Sequence, residues 1–327
     1  MTRSLDLLPK AHLHLHLEGG LRPATLADLA QSHGLPVPPV TGFQNFTEFD
    51  LMYQAACDVL RTPDDMARLV HELAEDAAAT GCVWIEPAVW LPLHNTRLGP
   101  DETVLEILVD AAKAATAATG VGIGYLIASD RNLTPAEAEE QARIAARWAG
   151  RGVVAFGLHN DEARYPGTPF AQAFRIAKDA GLLATPHAGE LAGPASVIEA
   201  LDILGADRIQ HGIRAAEDPA LLERLAEQEI CLDVCPTSNL VLEVVPSYAE
   251  HPLPALLAAG VPCSINGDDP IMFDCDLRTE YEHCRTSIGL TDAQIAALAR
   301  ASLRGSAAPT DTLKNALAGI DAWLAHD

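Results

Sequence analysis

The sequence predicts an α/β fold of the (β/α)8 TIM-barrel type, and three observations carry that prediction. Eight short apolar runs recur along the chain, at 11–17, 83–89, 121–128, 153–158, 183–187, 208–212, 230–235 and 262–266. Most are followed by a helical pattern, and near-continuous apolar strands alternating with helices belong to parallel sheets. The length of 327 residues exceeds the roughly 250 that one such barrel takes. A single domain over 1–327 therefore accounts for the chain. An open doubly wound sheet is the competing arrangement, because short strands are easily miscounted.

The first run, Lys10-Ala-His-Leu-His-Leu-His-Leu-Glu-Gly-Gly20, alternates imidazoles with leucines. On a strand this puts His12, His14 and His16 on one face. The stretch 34–65 is longer than an ordinary barrel connection. It begins with Pro36, Pro38, Pro39 and Gly42 and then sets Phe46, Phe49 and Tyr53 on one helical face. It reads as a helical lid inserted after the first strand, with core packing as the plainer alternative. Thr134-Pro135 opens a helix to about Trp148, Asp218-Pro219 one to about Gln228, and Thr291 one to about Leu303.

Composition narrows the function classes. Apolar residues make up 49% of the chain and charged ones 20%, which excludes disorder. Lys and Arg number 22 against 45 Asp and Glu, a net charge of −23. That balance argues against nucleic acid or an anionic membrane as partner. Neither a transmembrane run nor a signal peptide is legible, so the cytoplasm is the expected location. Seven scattered cysteines do not form a disulfide framework; Cys231 and Cys235 read as core thiols. Gly120-Val-Gly-Ile-Gly124 lacks the dinucleotide-binding spacing and reads as loop and strand.

Three imidazoles on one strand face make a poor core unless something satisfies their nitrogens, and a divalent metal does so. Three further constellations end later runs: Thr185-Pro-His-Ala-Gly-Glu190, Gln210-His211-Gly212 and Ser264-Ile-Asn-Gly-Asp-Asp-Pro270. Each is weak alone. Together they gather His, Asp and Glu at the C-terminal ends of barrel strands, where catalytic groups of this fold sit. The convergence points to a hydrolytic metal site.

These motifs, in this order, resemble the adenosine/adenine deaminase family of the metal-dependent amidohydrolases. The resemblance spans about residues 7–305, and Cys-Pro-Thr-Ser-Asn239 and Asn-Asp-Glu162 also fit it. It implies one zinc per chain, held by His14, His16, His187 and Asp268. His12 is a departure, since relatives commonly have Glu there, and is taken as a neighbour of the site. The resemblance further implies Glu190 as the acid that protonates purine N1, and Asp268 with His211 as the groups that deprotonate and orient the attacking water. Asp269 would bond N7. His16, Glu18, Asn160, Phe46 and Phe49 would complete the substrate contacts.

Two-metal amidohydrolases resemble one another in a bridging lysine at the fourth strand's end. None of Lys10, Lys113, Lys178 or Lys314 stands there, and position 159 is His, so one metal is expected. The implied reaction is attack of zinc-bound hydroxide at C6 of adenosine or deoxyadenosine, yielding inosine or its deoxy form plus ammonia. Glu18 would meet a ribose hydroxyl. Adenine and aminodeoxyfutalosine are the alternative substrates, since Glu at position 18 and Glu86-Pro87 resemble the adenine branch. A non-catalytic metal-binding barrel is the reading from a different class. Whether the chain forms a homo-oligomer is left open.

Overall fold

The structure is a computed structural model and describes residues 3–325. Eight parallel strands follow in chain order around the barrel. They are β1 (Lys10–His16), β2 (Cys82–Val89), β3 (Tyr125–Asp130), β4 (Val153–His159), β5 (Leu183–Ala184 continued by His187–Ala188), β6 (Arg208–His211), β7 (Cys231–Val234) and β8 (Cys263–Ile265). Each pairs in parallel with the next. The last meets the first just beyond β8. There His16 N–H donates to the Asp268 carbonyl at 2.9 Å, and Asp268 N–H donates to that of His14 at 3.1 Å. The eight runs read from sequence are thus the eight barrel strands.

Two of those runs are interrupted. The third begins as a short strand, Gly122–Ile123, paired with β2 before β3 proper. The fifth breaks at Thr185 and Pro186. Its first half pairs with β4 and its second with β6, and proline, having no N–H, cannot continue a ladder on both sides.

The helices start where side chains cap them. Thr134 and Glu137 form a capping box ahead of Pro135–Arg147, and Thr291 with Gln294 another ahead of Asp292–Gly305. Asp218 accepts from the N–H groups of Ala220 and Leu221 at the head of Pro219–Glu227. Each leaves fewer orphan N–H groups at the helix start. The long connection from β1 to β2 carries three helices, Pro23–Ser32, Phe46–Cys57 and Pro63–Ala79. Phe46–Cys57, capped by Asn45, is the inserted one.

All seven cysteines are free, and Cys231 and Cys235 are buried. Among the described residues no helix is long and apolar enough to cross a membrane.

Candidate active site

Every side chain of the site projects from the C-terminal end of a strand or the turn after it. His14 and His16 close β1, His159 closes β4, His187 lies on β5 and His211 ends β6; Asp268 and Asp269 follow β8. Three of these turns are strained. Asn160, His211 and Asp268 have φ of 78°, 65° and 58°, the left-handed region that non-glycine residues seldom adopt. Such backbone costs of order 1–3 kcal/mol per residue and clusters where function over-determines it. Close approach adds a further demand: a Cβ on Gly19 would lie 2.1 Å from Asp269 Oδ1, so only glycine lets that carboxyl reach the pocket.

The imidazole tautomers separate ligands from donors. His14 Nδ1 lies 3.2 Å from the Asp233 carbonyl and His187 Nδ1 lies 3.1 Å from that of Leu158. A carbonyl only accepts, so both Nδ1 atoms carry the hydrogen and both Nε2 atoms present lone pairs. Those two Nε2 atoms are 3.1 Å apart in a buried place. Two lone pairs facing each other repel unless a cation lies between them. Asp268 Oδ1 stands 3.0 Å from His14 Nε2 and 3.3 Å from His16 Nε2. Metal–ligand bonds of about 2.0–2.2 Å in a tetrahedron set ligand atoms roughly 3.3–3.6 Å apart, close to these spacings. Among the described residues, His14, His187, His211 and Asp268 offer ligand atoms all within 4.8 Å of one another, while His16 groups with Asp268 and Asp269, so this end of the barrel can hold a divalent metal with Asp268 common to both groups.

His211 belongs to the first of these groups, but its hydrogen points the other way. Leu253 N–H donates to His251 Nδ1 at 3.1 Å, which leaves His251 Nε2–H to donate to Asn239 Oδ1 at 3.3 Å. The Asn239 amide then donates to His211 Nδ1 at 3.4 Å. His211 Nε2 accordingly carries a hydrogen, aimed at Glu190 Oε2, 3.4 Å away, and Asp268 Oδ2, 3.8 Å away. It is placed as a donor.

The carboxyls are driven to different states. Burial, with the charges of Asp268, Glu162 and Asp269, pushes Glu190 well above the usual carboxylate range, so it is protonated near neutral pH. Asp268 is held well below that range: burial opposes this, but the imidazoles of His14, His16 and His211 around its oxygens outweigh it. Burial and the neighbouring Asp268 push Asp269 up to about 8. Against burial, Asp269 and Asp268 push His16 up to about 9, so this spot attracts a positive charge, proton or metal. Glu190 Oε1 and Asp269 Oδ1 are buried without a hydrogen-bond partner among the described residues. A buried polar atom left unpaired costs about 1–3 kcal/mol, so each is an open contact for a ligand.

Above these groups is a cleft enclosing about 790 Å³ of empty space, its solvent mouth included. Glu190, His211, Asp268, Asp269, His16, Glu18, Asn160, Phe46 and Phe49 all line it, with Tyr53. Phe49 stacks on Phe273 at 5.6 Å with planes 5° apart, and Phe46 leans on Phe49 at 5.7 Å. The inserted helix thus covers the pocket with the aromatic face read from sequence. Glu18 has both oxygens engaged, one by the Tyr53 hydroxyl at 2.6 Å and the other by His94 Nε2. Asn160 Nδ2 donates to Asp130 Oδ2 at 3.0 Å. His12 turns away from the cluster; its Nε2 accepts from Gly267 N–H at 2.9 Å. Glu86 lies outside the cleft, bonded to Arg208.

Sequence reasoning missed several wall residues. His159 and Asp130 end β4 and β3 one or two residues past the apolar runs, and polarity at a strand's C-terminal edge was the signal available. Asp50, Gln54 and Trp90 also line the cleft, and His94 backs it through Glu18. For His94, 76 residues from Glu18, the sequence carries no signal.

A His and Asp metal set at the C-terminal mouth of a (β/α)8 barrel, beside a buried protonated carboxyl, defines a metal-dependent hydrolase of the amidohydrolase class. The sequence profile described as adenosine deaminase matches residues 9–323, and the chain belongs to that family. A Streptomyces coelicolor protein provisionally named an adenosine/adenine deaminase is 45% identical over 338 residues, covering 99% of this chain and 98% of its own. The crystal structure of adenine deaminase from Arthrobacter aurescens matches with a TM-score of 0.90 at 30% identity, covering 98% of this chain and 100% of that one. An amidohydrolase from Burkholderia ambifaria, solved with bound Zn, gives a TM-score of 0.87 at 26% identity over 98% and 92%. The chain is a hydrolase that removes an amino group from a purine, in a family whose deaminases depend on a metal.

Proposed function

We propose that the chain hydrolyses the 6-amino group of a neutral purine, with free adenine as the first substrate and zinc as the metal. The observation that carries the choice of base over nucleoside is the pairing of Glu18. A carboxylate waiting for a ribose hydroxyl would keep an oxygen open. Here Tyr53 and His94 each engage one, so a ribose hydroxyl would have to share an oxygen that is already bonded.

A divalent metal held by His14, His16, His187 and Asp268 would supply Lewis acidity, lowering the pKa of a water molecule toward about 7. Protonated Glu190 donates to ring N1, which makes C6 electrophilic. The His211 Nε2–H orients the attacking oxygen. Asp268, ionised and steadied by the Ser238 hydroxyl at 2.6 Å, accepts its proton. His211 cannot share that step, because its Nδ1 is occupied by Asn239 and its Nε2 already bears hydrogen. Asp269, protonated below about pH 8, donates to N7. Water adds, ammonia leaves, and adenine becomes hypoxanthine.

Charge narrows the substrate further. The lining holds Glu18, Asp50, Asp130, Glu190, Asp268 and Asp269 and, among the described residues, no Lys or Arg. An anionic substituent at the outer wall would meet Asp50 and Asp130 with no Lys or Arg to pair it, which disfavours nucleotides. Adenosine is the second reading. It is favoured by Asp50, Gln54, Asp130 and Asn160, which give the outer wall acceptors suited to sugar hydroxyls. Ammonia release from adenine, adenosine, deoxyadenosine and aminodeoxyfutalosine tests both. Adenine is expected to be fastest; turnover of adenosine without adenine overturns the first choice, and turnover of none overturns the assignment.

A further inference from the structure

Asn-Asp-Glu162 stands out in the sequence, yet Glu162 does not line the catalytic cleft. It lies just after β4, 5% exposed, and receives hydrogen bonds from the 189–192 loop and from Ser196 in the helix that follows. Gly189 N–H donates to its Oε1 at 2.6 Å. The N–H groups of Glu190, Leu191 and Ala192 donate to Oε2 at 3.0, 2.8 and 3.0 Å. The Ser196 hydroxyl donates to Oε1 as well. Four consecutive backbone amides thus converge on one carboxylate, and the second of them belongs to Glu190. The carbonyl side of the loop is held separately, by Arg214, whose N–H donates to the Gly189 carbonyl at 3.0 Å and whose guanidinium donates to that of Leu191 at 3.4 Å; Glu162 takes the N–H side. Gly189 has a φ of 70°, and a Cβ there would lie 2.4 Å from Val197. The Glu190 side chain, for its part, has Oε2 3.4 Å from His211 Nε2 and Oε1 without a hydrogen-bond partner among the described residues.

We propose that Glu162 is the positioning residue for Glu190: its carboxylate fixes the 189–192 turn, and through it aims the proton donor at the purine. Five donors around two oxygens require an acceptor-only group, which an ionised carboxylate is and an amide is not. Neutralising Glu162 forces an N–H onto these donors and lets the turn relax, while the metal ligands, on strands β1 and β5 and after β8, keep their own supports.

The proposal rests on the reading of Glu190 as proton donor, and the test separates the two. Glu162→Gln is expected to lower kcat about 10–100-fold, the range seen when a supporting partner of a functional group is removed. KM for the purine the parent turns over should stay within about threefold, with metal content unchanged. Glu162→Asp, which keeps the charge, should recover part of the loss. The decisive readout is the double variant. If Glu162 acts through Glu190, then Glu162→Gln combined with Glu190→Gln is no slower than Glu190→Gln alone by more than about threefold, because the second change has nothing left to misplace. Loss of the full product of the two single effects overturns the proposal, as does Glu162→Gln at parental kcat. An unimpaired Glu190→Gln would instead overturn the reading beneath it. Should Glu162→Gln fail to fold, Ser196→Ala removes one donor and spares the carboxylate. It is expected to lower kcat severalfold, again without adding to Glu190→Gln, and additivity there overturns the proposal equally.

Discussion

The two ends of the barrel bury charge in opposite ways, and β1 runs through both. At its start Lys10 is fully buried, and its ammonium donates to the carbonyls of Leu5, Leu8 and Thr80. Nearby, Arg208 donates to Glu86 at 2.7 Å and Asp233 at 2.5 Å, while Asp233 also accepts from Ser264, and Glu86 from Trp84 and Ala307. At the far end of the same strand His14 turns a lone pair toward that of His187, and Glu190 and Asp269 each keep an oxygen unpaired. The first end is a saturated network, which fixes packing. The second leaves its polar atoms open and strains its backbone at His211 and Asp268, so its stabilisation is withheld until metal and substrate arrive. Burial alone does not mark function; unpaired carboxyl oxygens gathered beside facing imidazole lone pairs do.

That contrast predicts which end answers to which assay. His187→Ala has the largest expected effect: it removes one of the facing nitrogens, and both bound metal and ammonia release should be lost together. Metal analysis beside the activity assay checks this, and a metal-free variant at full activity would break the assignment. Next comes Glu190→Gln, expected to lower kcat roughly 10²–10⁴-fold with the metal retained, since general acid catalysis contributes that much. Denaturant unfolding should find this variant at least as stable as the parent, because the acid has an unpaired oxygen to lose.

At the saturated end the pattern should reverse. Arg208→Met strands Glu86 and Asp233, and breaking a buried pair costs about 3–5 kcal/mol. Urea unfolding should register that loss while kcat per folded molecule stays near the parental value; a stable but inactive variant would erase the distinction between the ends. The smallest effect is expected at the lid. Phe49→Ala removes the stack on Phe273, worth about 0.5–1.5 kcal/mol, and should raise KM about 3–10-fold. Unchanged kinetics with a large stability loss would make the helix Phe46–Cys57 core rather than cover.

Much of the site was legible because barrel geometry converts strand ends into neighbours. His14, His16, His187, Glu190, His211, Asp268 and Asp269 sit near where an apolar run stops, and the structure brings the last six to one cleft, with His14 beside His187 beneath it. Residues that act from connections were not legible in the same way. His94 reaches Glu18 from the loop after β2, and Glu162 organises a loop that starts 27 residues later. Their partners are set by how loops pack, which no local pattern encodes.

The sequence by itself determined the eight strands, the helix starts at Thr134, Asp218 and Thr291, and the His and Asp residues that crowd the barrel mouth. Those follow from alternation, capping and side-chain chemistry, which are local. Only the tertiary structure decided which nitrogen of each histidine bears hydrogen, since that depends on carbonyls and amides contributed by other strands: Asp233 for His14, Leu158 for His187, Asn239 for His211. It also decided that Glu18 is already paired, by Tyr53 and His94. Hydrogen bonds act over about 3 Å, and only folding brings groups this far apart in the chain within that reach.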